Sequence, residues 1–328
     1  MSGAIRIGII GYGNIGRAVE AEIAETPDMR PAGIFTRRDP ASVQTAGDAA
    51  QVHHLDDILN YRNEIDVAIL CGGSATDLPE QGPRFAALFN TVDSYDTHAR
   101  IPEYFEAIDR PAREAGKTAV ISTGWDPGLF SLMRVLEEAV LPRGRTYTFW
   151  GPGVSQGHSD ALRRVEGVTD ARQYTVPVED ALERVRSGED PELSPREKHV
   201  RDCYIVPREG ADLAKIEETV RTMPHYFDEY DTRITFITPE EMATKHAVMP
   251  HGGFVLRSAL TGDGSRHLAE FSLKLQSNPF FTASVLVAYA RAAWRLNREG
   301  AVGAKTVFDI APAYLSPRTP EDLRRREL

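Results

Sequence analysis

The sequence predicts an α/β chain in which an N-terminal doubly wound parallel sheet is followed by a second domain of α+β type. Three observations carry this. Short, continuously apolar runs alternate with helical spacing over the first third of the chain. A glycine-rich turn stands where the first strand gives way to the first helix. Near Gly124 the texture changes to strands of alternating polar and apolar residues with longer polar connections. A strand covered on both faces reads as an unbroken apolar run, whereas a sheet with one wet face alternates.

Taken in order, residues 5–10 form a β-branched strand, and residues 13–24 place Ile15, Val19 and Ile23 on one helical face. Residues 31–36 read as a second strand, 67–71 as a third or fourth, and 119–122 as a later one. Further strands are predicted at 146–150, 200–206 and 232–237, and the alternation there suggests an antiparallel sheet. Residues 188–195, with Glu, Asp, Pro and Ser, read as a surface loop. Residues 283–296 form a strong helix, followed by Gly300, Gly303 and a charged tail.

Composition narrows the class of function. At roughly 150 residues per domain, 328 residues suggest two domains. With 41% hydrophobic and 26% charged residues the chain can build an ordinary core, which excludes wholesale disorder. Acidic residues outnumber basic ones 48 to 38, a net charge of −10, so no nucleic acid or anionic membrane is expected as a partner. The longest apolar stretch, 280–294, is broken by Thr282, Ser284 and Arg291 and falls short of the roughly 18 residues of a membrane span. The first residues run straight into a strand, so no signal peptide is expected. Cys71 and Cys203, far apart, fit a reducing compartment. The expectation is a cytoplasmic enzyme.

Gly11-Tyr12-Gly13-Asn14-Ile15-Gly16 is the turn between the first strand and helix. Glycines are needed there so that the backbone can turn, approach a diphosphate and pack helix on strand. This is a Rossmann-like dinucleotide fingerprint, with the helix N-terminus offered to the phosphates. An NAD site usually carries Asp or Glu about 20 residues further on. Here Phe35-Thr36-Arg37-Arg38 has no carboxylate, and two guanidiniums suit the 2′-phosphate of NADP. The alternative is a solvated basic turn. A second motif, Gly153-Val154-Ser155-Gln156-Gly157, satisfies the nucleophile-elbow pattern of serine hydrolases, with His158 and His251 as candidates to complete a triad. Pro152 separates it from the preceding strand, however, and the helix is expected to begin only at Ser159-Asp160, which disfavours a sharp elbow.

Several blocks together resemble the meso-diaminopimelate dehydrogenases. They are the fingerprint, Cys71-Gly72-Gly73-Ser74-Ala75-Thr76-Asp77, Thr91-Val92-Asp93-Ser94-Tyr95-Asp96 and Ser122-Thr123-Gly124-Trp125-Asp126-Pro127-Gly128. Phe149-Trp150-Gly151-Pro152-Gly153, Ser155-Gln156-Gly157-His158-Ser159-Asp160, Arg221-Thr222-Met223-Pro224, Met249-Pro250-His251-Gly252-Gly253 and Asn278-Pro279 complete the set. The likeness implies NADP as cofactor, no metal, and meso-diaminopimelate and ammonia as partners in a homodimer. It implies a discontinuous nucleotide domain, 1–122 with 300–328, and a substrate-binding and dimerisation domain at 123–299. Cofactor contacts are implied at Gly11, Tyr12, Gly13, Asn14, Ile15, Gly16, Thr36, Arg37, Arg38, Cys71, Gly72, Ser74, Ala75 and Thr76.

For the substrate, the resemblance implies Asp93 and Asp126 as carboxylates beside the reacting amine. Gln156 and Gly157 would meet the D-centre carboxylate, Trp125 and Trp150 would wall the pocket, and Arg201 would pair with the far carboxylate, helped by Thr175, His251 and Asn278. Each has an ordinary alternative. Asp93 and Asp126 could cap turns, Arg201 could be a solvated strand residue, and Asn278 could cap the helix that Pro279 opens.

Overall fold

A computed structural model describes residues 3–47 and 50–328. The chain divides into two compact units, Met1–Leu132 with Pro279–Leu328, and Met133–Asn278. In the first unit, strands β1 (Ile5–Ile10), β2 (Met29–Thr36), β3 (Val52–His54), β4 (Val67–Leu70), β5 (Asn90–Asp93) and β6 (Thr118–Val120) join the C-terminal strand Gly303–Lys305 in one sheet. All pairings in that sheet are parallel. Its order is Gly303–Lys305, β6, β5, β4, β1, β2, β3. The chain therefore leaves β1 toward β2 and β3 and later returns to β1's other side with β4. That reversal opens a crevice at the strands' C-terminal ends, where doubly wound sheets bind ligands.

The unbroken apolar strands have a physical reason. Ile5, Ile7 and Ile9 of β1 pack into one core with Val67 and Ile69 of β4, while Ile10, Ala68 and Leu70 enter a second core with Phe85 and Ile108. Each fully buried Ile contributes about 1.5–3 kcal/mol. The first core also takes Leu286, Tyr289, Ala290, Ala293 and Leu296 of the helix Asn278–Arg298. This corrects the expected boundaries at 122/123 and 299/300, because the long helix and the segment through Leu132 pack with the nucleotide sheet.

Arg291, buried on that helix, donates to both carboxylate oxygens of Asp28 at 2.6 and 2.7 Å and to the Leu315 carbonyl at 2.6 Å. The Arg291 hydrogen bonds hold the Asp28 carboxyl below the usual range. Arg291→Leu is expected to destabilise the protein by about 2 kcal/mol in urea unfolding at pH 7, toward the low end for a buried pair because Asp28 is part-exposed. Asp28's depressed pKa means that its contribution is present above the unfolded value of about 3.9 and is lost as pH falls through the folded one. The gap between wild type and variant should close in acid.

The second unit holds two sheets built from β7 (Gly144–Trp150), β8 (Gly153–Val154), β9 (Val168–Pro177), β10 (His199–Pro207), β11 (Asp231–Phe236), β12 (His251–Leu260) and β13 (Arg266–Leu275). One runs β11-β10-β9-β8 and the other β13-β12-β7. The three-stranded sheet is antiparallel as expected, but β10 and β11 are parallel, so the four-stranded sheet is mixed. Ala171, Cys203 and Ile205 turn inward with Leu162, Ile216 and Phe227, and Tyr147, Phe149 and Leu256 pack with Leu182 and Val185.

Candidate active site

The crevice beside β1 is a cavity of about 320 Å³ lined by the fingerprint, the end of β2 and the turn after β4. Gly11 has φ +89°, a conformation that L side chains rarely adopt. A Cβ on Gly16 would lie 2.2 Å from the Gly11 carbonyl oxygen, whereas one on Gly13 would enter open space. The loop is thus tight on its inner side and clear where a diphosphate would approach. The first turn of the helix Asn14–Ala24 supplies N–H groups with no partner within the helix.

At the end of β2, Thr36 Oγ1 accepts from Arg38 N at 3.2 Å, and Arg38 Nη2 donates to the Tyr12 carbonyl. Arg37, largely exposed, donates to Asp77 Oδ1 at 2.6 Å. Burial pushes the Asp77 carboxyl up, but the Gly73 N–H and Arg37 outweigh it and hold it below its usual range. The Tyr12 side chain is buried, its hydroxyl donating to Glu20, so its backbone faces the cavity's chemistry. Cys71, Gly72 and Gly73 line the cavity, while Asn14, Ile15, Gly16, Ser74, Ala75 and Thr76 are not in its wall. Ser74 Oγ instead accepts from Asp96 N at 3.1 Å. Phe35 and Asp77, which stand in the quoted motifs but were not expected to contact the cofactor, also line the cavity, as do Leu55 and Gln81, which no sequence signal marked. Gln81 Oε1 is buried without a partner among the described residues and calls for a donor. Glycine clearance, helix N-terminus, two arginines and an orphaned acceptor fit a phosphorylated dinucleotide. Arg37→Ala with Arg38→Ala is expected to raise the KM for NADP roughly ten- to a hundredfold and that for NAD far less. Equal losses in initial-rate assays would refute the phosphate role.

Asp93 ends β5 with 1% exposure. Its Oδ1 accepts from Tyr95 N and Ser122 N, both at 3.0 Å, and its Oδ2 from Tyr104 Oη at 2.8 Å. Burial raises the carboxyl to about 6 despite these donors. A carboxylate so enclosed is committed to the protein, against the expectation that Asp93 faces the substrate amine: it ties β5 to Ser122 and to the helix Ile101–Glu114. Three residues on, Asp96 is exposed at the same end of the sheet. The pair of aspartates at i and i+3 was the available signal. Asp126 stands at the tip of a turn in which Leu129 N donates to Gly124 O at 3.0 Å and Phe130 N to Trp125 O at 2.8 Å. A Cβ on Gly128 would lie 2.0 Å from Gly124 O, so only glycine closes this turn. Trp125 is buried with its ring edge-on to Phe130.

In the second unit, strand register gathers the predicted substrate residues. Gly153 pairs with Thr175 and Thr175 with Arg201. Val154 N donates to Pro250 O at 2.9 Å, and Trp150 pairs with Gly253. Trp150 N donates to His199 Nε2 at 2.9 Å and its ring stacks on the imidazole. Gln156, exposed, donates to Met249 Sδ at 3.4 Å, and Asn278 N donates to Met249 O at 3.2 Å. Gly157 faces open space. His251 Nδ1 accepts from Gly252 N at 2.9 Å. Arg201, 8% exposed, donates from Nη1 to Thr175 Oγ1 at 2.6 Å. Burial lowers its pKa, and the groups that raise it are Tyr230 and Cys203, with no carboxylate among them. Burial also pushes His199 down to about 3 and His158 to about 4. A cation taken out of water among neutral groups is suited to an anionic ligand.

The helix expected from Ser159 begins at Gln156, directly after β8 and Ser155. Ser155 Oγ bonds His158 Nδ1 at 2.7 Å, but His158 Nε2 is buried without a partner. Among the described residues no carboxylate orients the imidazole, and burial makes it a weak base, so the pair lacks a hydrolase's third member.

An α/β chain with this cleft and an arginine pair in place of the ribose-binding acid is an NADP-linked oxidoreductase. Residues 124–277 match the family model for the diaminopimelic acid dehydrogenase C-terminal domain. The meso-diaminopimelate D-dehydrogenase of Ureibacillus thermosphaericus is 62% identical over 324 residues, covering 99% of both chains. A crystal structure of a six-fold substituted meso-diaminopimelate dehydrogenase from Clostridium tetani, with DAP, is similar at 54% identity and TM-score 0.93, over 99% of this chain and 100% of that one. An engineered D-amino acid dehydrogenase bound to NADP+ is similar at 46% identity and TM-score 0.86, with the same coverage. The chain belongs to the meso-diaminopimelate D-dehydrogenase family.

Proposed function

We propose that this protein catalyses the reversible, NADP-dependent oxidative deamination of meso-2,6-diaminopimelate at its D-centre, giving L-2-amino-6-oxopimelate and ammonia on a route to lysine. The observation that carries the substrate is Arg201, a buried guanidinium that bonds Thr175 and has no carboxylate among the described residues acting on it. It suits the far carboxylate of a dicarboxylic amino acid, with His251 and Asn278 as further polar partners. In the Clostridium tetani variant the six substituted residues are Gln, Thr, Arg, Pro, His and Asn, the types and spacings of Gln156, Thr175, Arg201, Pro250, His251 and Asn278 here.

When bound, NADP supplies the acceptor for the hydride of the D α-carbon. Asp126, on its glycine-closed turn, takes the ammonium proton so that the nitrogen lone pair can form the imine, and afterwards activates water. Asp96 is the second carboxylate of this reading, in place of Asp93. Gln156 and the Gly157 N–H bind the D-centre carboxylate, and the rings of Trp125 and Trp150 wall the carbon chain.

Pairing of two copies is supported by Val135, Leu136 and Val140, apolar side chains at least half-exposed in the second unit. The free thiols of Cys71 and Cys203 suit the cytoplasm. Initial rates at the NADPH absorbance band, with meso, LL and DD diaminopimelate and D-alanine, each with NADP and NAD, test the assignment. Turnover with the meso isomer and NADP, and little with the LL isomer, is the expected result. Absence of turnover with the meso isomer would overturn the assignment.

A further inference from the structure

Arg201 is held on one face as well as at one nitrogen. Its Cζ lies 3.8 Å from the centroid of the Tyr230 ring. Nη1 is engaged by Thr175 Oγ1, whereas Nε is buried and has no hydrogen-bond partner among the described residues. A guanidinium has two edges that can meet a carboxylate with two parallel bonds, one formed by both Nη atoms and one by Nε and Nη2. With Nη1 committed to a hydroxyl, the Nε edge is the fork left for an anion. A flat ring beneath it sets the plane in which that fork lies.

We propose that Tyr230 is a positioning residue that sets specificity for a second carboxylate, by stacking under Arg201 and fixing the plane of its guanidinium. Fold and charge support this. Tyr230 immediately precedes β11, two residues before Thr232, which pairs with Arg201 in the parallel register of β10 and β11, so the start of the strand brings the ring to the cation. Among the described residues no carboxylate compensates the buried charge, and Tyr230 is the group that favours it most, a ring face offering attraction without a competing anion. An aspartate or glutamate in Tyr230's place would hold the cation more strongly but would compete with the substrate's carboxylate. The aromatic face orients the guanidinium and leaves its edge free.

The inference rests on the reading of Arg201 as the clamp for the distal carboxylate, and the experiment separates the two. Tyr230→Leu, Tyr230→Phe and Arg201→Met are compared with wild type in KM and kcat for meso-diaminopimelate, in KM for NADP, and in the inhibition constant of pimelate, a dicarboxylate without amines. Tyr230→Leu is expected to raise the substrate KM and the pimelate inhibition constant about tenfold or more, the scale of a desolvated cation–π contact. Its kcat and its KM for NADP should stay within about twofold of wild type. Tyr230→Phe keeps the ring and should restore near-wild-type values. A wild-type KM in Tyr230→Leu, beside a sharply raised one in Arg201→Met, would overturn the positioning role. So would a Phe variant as impaired as Leu, or a Leu variant that loses NADP affinity and kcat alike. An unchanged KM in Arg201→Met would instead overturn the clamp itself.

Discussion

Replacing Arg201 by methionine is expected to lower kcat/KM for meso-diaminopimelate by about 2–4 kcal/mol, a loss of tens- to hundreds-fold. The side chain is buried, bonds Thr175 Oγ1, and has no carboxylate among the described residues acting on it. A substrate whose two ends carry the same groups can be oriented only by a contact far from the reacting carbon, and energy from that contact serves positioning at the near end. Methionine keeps most of the apolar stem and removes the fork. A short D-amino acid without a second carboxylate should therefore be turned over at an undiminished or relatively improved rate. Stability should move the other way, because an unpaired buried cation costs folding free energy that methionine does not. The variant should unfold in urea at a midpoint no lower than wild type. A uniform fall for all substrates, with a lowered midpoint, would make Arg201 a structural residue of β10.

The parts of the fold legible in the sequence are those whose cause is local. Residues 5–10 announce a strand because both faces of β1 are buried, and Gly11 to Gly16 announce a turn because its backbone admits no side chains at two of its glycines. Non-local pairing hid the rest. β13 alternates Ala269, Phe271, Leu273 and Leu275 with Glu270, Ser272 and Lys274, as a strand with one wet face does, but only its register against β12 assigns it to a sheet. β8 is two residues long and exists through its pairing with β9, which is also why the helix after Ser155 starts earlier than its own pattern suggests. The helix Asn278–Arg298 has apolar residues on most faces, so its partner could not be chosen from spacing; the sheet core claims it. The same limit applies to the site. The family resemblance, not any local pattern, named Thr175 and Arg201 together, and the register of β9 and β10 joins them. Type alone could not say which of Asp93 and Asp96 turns inward, since both sit at the end of one strand. Burial and the Tyr104 hydroxyl decide it.

That distinction gives an expected contrast between two isosteric substitutions. Asp126→Asn should lower kcat by roughly 10²–10⁴-fold, the usual worth of a positioned general base, with the KM for NADP almost unchanged. Asp93→Asn should leave kcat near wild type. Its amide oxygen can accept the same two N–H bonds, from Tyr95 and Ser122, and its amide nitrogen can donate to the Tyr104 hydroxyl, which then accepts. The pH dependence of stability identifies the Asp93 effect. Burial raises that carboxyl to about 6, above the unfolded value of about 3.9. A raised carboxyl contributes stability that is fully present below the unfolded pKa and lost as pH rises through the folded one. Its loss is at most about 3 kcal/mol. Wild type should therefore weaken between about pH 4 and 7 by an amount that Asp93→Asn does not show, and the variant should match or exceed wild type in urea at pH 8. Wild-type turnover across pH in Asp126→Asn would remove the base from that turn. Loss of turnover in a fully folded Asp93→Asn would return the catalytic carboxylate to β5.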